Sequence, residues 1–121
     1  MKQKVIAGIF LLAVIAFVTT NTIIIDKQIE ELSIGVCELD VESEGAAEEA
    51  SRLFDNFEKI EVYISLTVNH DDLTNIEDCF AELVGYLSVG EAKEARVTKD
   101  RLTHSLEHLR RLSTFTIDAI I

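Results

Sequence analysis

Apolar positions along the chain follow two regimes that meet near residue 25. Residues 5–25 read VIAGIFLLAVIAFVTTNTIII, twenty-one positions without a charge between Lys4 and Asp26. As a helix rising about 1.5 Å per residue, this run reaches ~31 Å, the thickness of a bilayer's hydrocarbon core. Beyond it the apolar residues become periodic. Ile25, Ile29, Leu32, Val36 and Leu39 step by four and three, so the spacing predicts that the first helix continues to about Leu39, with Gly35 a local weak point. A second seam, Ala46, Ala50, Leu53, Phe57, Ile60, Ile64 and Thr67, predicts a deeply buried helix ending at Asn69, its stripe widened by Phe54, Val62 and Leu66. A third runs through Leu73, Ile76, Phe80, Leu83 and Leu87, with Cys79 and Val84 alongside. A fourth uses Ala92, Ala95, Leu102, Leu106, Leu109 and Leu112, interrupted by Lys99.

The junctions carry their own signals. Asn69 is placed to cap the third helix with Asp72 at N3, and Val68 and Leu73 form a hydrophobic staple across it. So tight a turn sets the second and third helices antiparallel. Ser88 and Glu91 fit an S-x-x-E capping box opening the fourth helix. There Glu91 and Glu94 stand near the start, with Arg110 and Arg111 near the end, complementing the helix dipole. Residues 91–111 hold six basic and four acidic residues, and residues 46–69 hold two and five. That contrast predicts the second and fourth helices as neighbours. The last residues contain Phe115, Ile117, Ile120 and Ile121, an apolar end expected to dock on the bundle, the membrane or a partner.

Charge turns this pattern into an orientation. All 22 acidic residues follow position 25, whereas Lys2 and Lys4 precede it; residues 26–121 hold nine basic residues and a formal charge of −13. The positive-inside rule puts the N-terminus in the cytoplasm and an acidic domain outside. Such a surface repels phosphate backbones, which excludes nucleic acid as an expected partner. A cleavable signal peptide competes with an anchor, yet Val18-Thr19-Thr20 makes a poor cleavage site, so an uncleaved anchor is expected. The chain has no proline, which suits long helices. Cys37 and Cys79 are expected as two small buried hydrophobes, a disulfide being the alternative in an oxidising compartment.

Candidate chemistry is sparse. His104-Ser105-Leu106-Glu107-His108 matches H-x-x-E-H, the helical turn that offers two imidazoles and a Glu base to zinc in inverted zinc peptidases. The match lacks a third ligand and a clear cleft, so catalysis is not expected there, and adventitious surface metal binding by the i,i+4 His pair is the reading left open. His70, Asp71 and Asp72 read as a helix start, where acids meet free N–H groups. Glu38, Asp40, Glu42, Glu44, Glu48 and Glu49 crowd together without the register of a calcium loop. No catalytic, cofactor-binding or metal-binding residue is therefore expected, nor a cofactor.

The run His70, Asp72, Leu73, Ile76 and Glu77, the leucine-rich last helix with Leu102, Leu106, His108 and Leu109, and the tail Ile117-Asp118-Ala119-Ile120 together carry a resemblance. The chain resembles a domain-of-unknown-function family of short, single-pass, helical bacterial proteins, frequent in clostridia and other spore-forming Gram-positive bacteria. The resemblance implies architecture and location, and no activity. The expectation is an all-α protein. Residues 1–25 form a basic N-terminus and transmembrane helix, and residues 26–121 an acidic extracytoplasmic antiparallel bundle of three to four helices. The expected partners are the membrane, through residues 5–25, and an envelope protein or a second copy. The expected role is a non-enzymatic interaction module, with an extracytoplasmic ligand- or cation-sensing domain as the alternative.

Overall fold

The computed structural model describes the backbone of residues 2–65 and 68–120, and their side chains except those of Asn21, Thr22 and residues 113–120. Four helices follow one another: α1 (Lys2–Glu38), α2 (Ala46–Ile64), α3 (His70–Ser88) and α4 (Ala92–Ile120). Helix α1 is 37 residues long and unbroken. Its N-terminal part is bare, since every described side chain from Lys2 to Ile24 except half-buried Thr19 is exposed. From Ile25 onward the same helix becomes one wall of a four-helix bundle. Ile25, Ile29, Leu32 and Val36 face a core shared with Leu53, Phe57, Ile60 and Ile64 of α2, Leu73, Ile76, Phe80 and Leu83 of α3, and Ala95, Leu102, Leu106 and Leu109 of α4. These are the positions of the four periodic seams.

Short connections make consecutive helices antiparallel neighbours, and α4 closes the ring against α1. Helices α2 and α4 therefore lie on a diagonal and do not meet among the described residues, contrary to the expectation from their charges. Connection length outweighs charge here, because exposed ion pairs are each worth about 0–1 kcal/mol. The cations of α4 pair instead with its real neighbours: Arg101 with Glu82 on α3, Arg96 with Glu42 in the α1–α2 connection, and Arg110 with Asp26 and Glu30 on α1.

The junctions follow local chemistry. Asn69 caps α3, its side chain accepting from the Asp71 N–H at 3.2 Å, while Val68 and Leu73 are both buried across the cap. Helix α2 ends at Ile64, five residues before the expected stop, where the Ser65 hydroxyl donates back to the Val62 carbonyl at 2.8 Å. The expected seam residues Leu66 and Thr67 lie outside the described residues. The predicted Ser88–Glu91 capping box does not form. Ser88 is still helical and its hydroxyl donates to the Val84 carbonyl. Gly90, at φ 76°, takes the left-handed position, with its N–H on the Leu87 carbonyl and the Glu91 N–H on that of Tyr86. This pair of bonds is a Schellman ending of α3, which glycine adopts without steric cost.

Four further side-chain expectations are corrected. Cys79 is buried, but Cys37 is exposed, and both are free thiols. Val62 is exposed rather than part of the buried stripe. Gly35 is not a weak point: α1 runs through it, and a Cβ there would stand 2.8 Å from Leu53 Cδ2. The missing side chain lets α2 approach closely. Arg110 and Arg111 are not at a helix end, because α4 continues to Ile120, so their charges do not complement its C-terminal dipole.

Candidate functional site

Open grooves mark the bundle surface. One, about 340 Å3, lies between α1 and α2, the sparsest of the four packed pairs. Gln28 and Glu31 of α1 face Arg52, Asn56 and Lys59 of α2, with Leu32, Leu53 and Ile60 as its floor. Arg52 is engaged by Glu49 one turn away, a hydrogen bond that holds the Glu49 carboxyl below its usual range.

The second groove, about 280 Å3, runs between α3 and α4 and brings together residues from two separate sequence motifs. His104 and His108, one helical turn apart, line it with Ser105. Asp72 and Asn75 come from the opposite wall. Glu107, the would-be base of H-x-x-E-H, is not among its lining residues. Among the described residues no three His, Cys, Asp or Glu side chains come close enough together to hold a metal ion. The arrangement offers hydrogen-bonding imidazoles beside one carboxylate, without a nucleophile positioned by a base. Sequence spacing pairs His104 with His108, but only antiparallel packing adds Asp72 from 32 positions away.

The other acidic runs have structural partners. In the 39–45 connection the Asp40 carboxylate accepts the Glu42 N–H at 3.0 Å and its carbonyl accepts the Ser43 hydroxyl at 3.0 Å. Glu42 pairs with Arg96 at 3.1 Å. Asp71 and Asp72 occupy the first turn of α3. A carboxyl pair was not legible in the sequence. Glu61 of α2 shares a hydrogen bond with Glu77 of α3, and this sharing, partial burial and the charges of Glu77 and Glu58 push the Glu61 pKa up to about 7. Folding thus favours the protonated form. The stability this gives is fully present below about pH 4.5 and is lost as pH rises through 7. Glu61→Gln should raise stability at pH 8 by about 1 kcal/mol and leave it unchanged at pH 4, the partial exposure of the pair keeping the gain small. Urea denaturation at the two pH values reads the difference, and equal effects would contradict the shared proton.

Helix α1 is the remaining feature of functional weight. It is long and apolar enough to cross a membrane, with a mean hydropathy of 2.3 over its most apolar window and 6% of that window buried. A family model described as a domain of unknown function, DUF4363, matches residues 14–120. The chain belongs to this family. The DUF4363 match begins at residue 14, inside the apolar run of α1, and continues to the last described turn of α4, so it takes in part of that run together with the bundle. No curated protein and no solved structure matches the chain.

Proposed function

We propose that this DUF4363 protein is a membrane-anchored, non-enzymatic interaction module, held in the membrane by α1 and displaying its helical bundle outside the cell. The observation that supports this most is the continuity of α1. One helix supplies both the bare apolar run and a wall of the bundle core, so the bundle is attached rigidly and without a linker. A rigid display of this kind suits recognition of a neighbouring envelope protein, which meets the bundle in a fixed orientation. Lys2 and Lys4 before the apolar run, against Lys27 alone in the twenty residues after it, support the outward orientation. The alternative cation-sensing role has less support, because Asp40, Glu42 and Asp71 serve turns, an ion pair and a helix start.

The test uses the two cysteines. A membrane-impermeant, thiol-reactive photo-crosslinker added to intact cells should attach to exposed Cys37 and leave buried Cys79 unmodified. Illumination should then give a discrete heavier adduct that is lost in Cys37→Ser. No attachment before permeabilisation overturns the orientation. Attachment without an adduct to another envelope protein overturns the interaction reading and turns attention to ligand screens.

A further inference from the structure

The ion pair between α4 and α1 fixes their register. Arg110 Nε donates to Asp26 Oδ1 at 3.1 Å and its terminal nitrogen to Glu30 at 3.4 Å. Asp26 is the first charge after the apolar run of α1, so Arg110 stands level with the boundary of that run. On α4 the same level is also a boundary. Residues 92–111 contain nine charges, whereas residues 112–121, LSTFTIDAII, contain one, Asp118. The helix nevertheless continues to Ile120. Ten residues past Arg110 correspond to about 15 Å along the axis, half the thickness of a bilayer's hydrocarbon core.

The ends of the other helices share this level. Ile60 of α2 lines the same groove as Gln28 of α1, so the antiparallel run brings Val62 and Tyr63 to the height of Ile25. Both are exposed, and residues 62–69 carry no Asp, Glu, Lys or Arg. Exposure along α1 provides a separate observation. Val14, Ile15, Val18 and Thr19, which share one face, are less exposed than their neighbours, Val18 at 37% against Phe17 at 72%. Something runs along that face, and the register assigns it to the end of α4. The same register sets Asp118 level with Val18, next to the polar run Thr19-Thr20-Asn21-Thr22 that ends the most apolar part of α1. A carboxylate at this depth needs polar company, and these four residues lie within about one turn of its height.

We infer that α4 is a second membrane element: residues 112–120 enter the leaflet on the bundle's side and run half-way across beside the 14/15/18/19 face of α1. The ligand of this surface is the lipid bilayer itself. The inference rests on the anchoring of α1 proposed above. It assigns the apolar tail to lipid, whereas a tail folded onto the bundle or held by a protein partner would stay in water or in that partner's surface.

The chain contains no tryptophan, so a single introduced one reports cleanly. Full-length Phe10→Trp, Phe115→Trp and Val97→Trp are reconstituted separately in phosphatidylcholine vesicles, with and without acyl-chain-brominated lipid. Phe10→Trp and Phe115→Trp should each lose more than half of their fluorescence to bromine, and Val97→Trp, exposed on the far part of α4, should lose almost none. Ile117→Trp repeats the measurement should Phe115→Trp fail to fold, as judged by helical circular dichroism. Quenching at Phe10→Trp with residues 115 and 117 as quiet as Val97→Trp overturns the inference and leaves the anchor intact. Quiet Phe10→Trp overturns both.

Discussion

Phe80→Ala is expected to destabilise the bundle by about 3–5 kcal/mol, the range for removing a buried aromatic ring. Phe80 is fully buried on α3 and stacks on two rings of α2: Phe54, 5.3 Å away and nearly parallel, and Phe57, 5.5 Å away. Truncation leaves a void bordered by both, and it also removes the ring–ring attraction, worth about 0.5–1.5 kcal/mol per pair beyond burial. Small domains have about 5–15 kcal/mol in total, so this single change takes a large share. Urea denaturation of the full-length chain in micelles, followed by helical circular dichroism, should show a much lower midpoint. Val97→Ala, on an exposed face of α4, should stay within about 0.5 kcal/mol of the parent. A Phe80→Ala cost below about 1 kcal/mol would mean that the stack does not organise the core.

The second large effect is expected at Gly35. By helix propensity alone, replacing a mid-helix glycine with leucine should stabilise α1 by nearly 1 kcal/mol. Packing reverses that sign. A Cβ at residue 35 would stand 2.8 Å from Leu53 Cδ2, and a whole leucine there must push the Leu53 side chain out of its buried position toward the groove it floors. Gly35→Leu should therefore cost about 1–3 kcal/mol, as overpacked cores do. Leu53→Ala alone should cost about 2–4 kcal/mol by leaving a cavity. Together the two changes exchange a large side chain across one contact, and the double variant should be more stable than the sum of the single costs by at least about 1 kcal/mol. Additive costs would show that α1 and α2 do not meet through this glycine.

The residues that announced themselves in the sequence are those whose roles depend on near neighbours in the chain. The seams through Ile29, Leu53, Leu73 and Leu106 alternate by three and four because one face of each helix is buried, and that requirement is local to each helix. The Asn69 cap spans only a few residues and was equally legible. The failures share the opposite property. Ser88 and Glu91 fit a helix start, but the same stretch contains Gly90, and the left-handed ending it permits took the place of the cap. The pairing of α4 with α1 rather than α2 depends on how four helices close a ring, which no window of sequence contains. Glu61 beside Glu77, and Asp72 across from His104 and His108, are products of that closure. Cys37 was misjudged for a simpler reason: it follows Val36, which takes the buried place on that turn.

The unbroken passage of α1 from its bare apolar part into the bundle has a consequence for rotational phase. A linker would let the bundle swivel; a continuous helix makes its azimuth a function of residue count. Each residue advances an α-helix by about 100° and 1.5 Å, so adding or losing one position between Phe17 and Ile25 would turn the bundle's grooves by more than a quarter circle against the lower face of α1. Arg110 would still meet Asp26, because both lie on the bundle's side of the change. The length of that segment is thus a compass setting for the bundle, held as firmly as any side chain in its core.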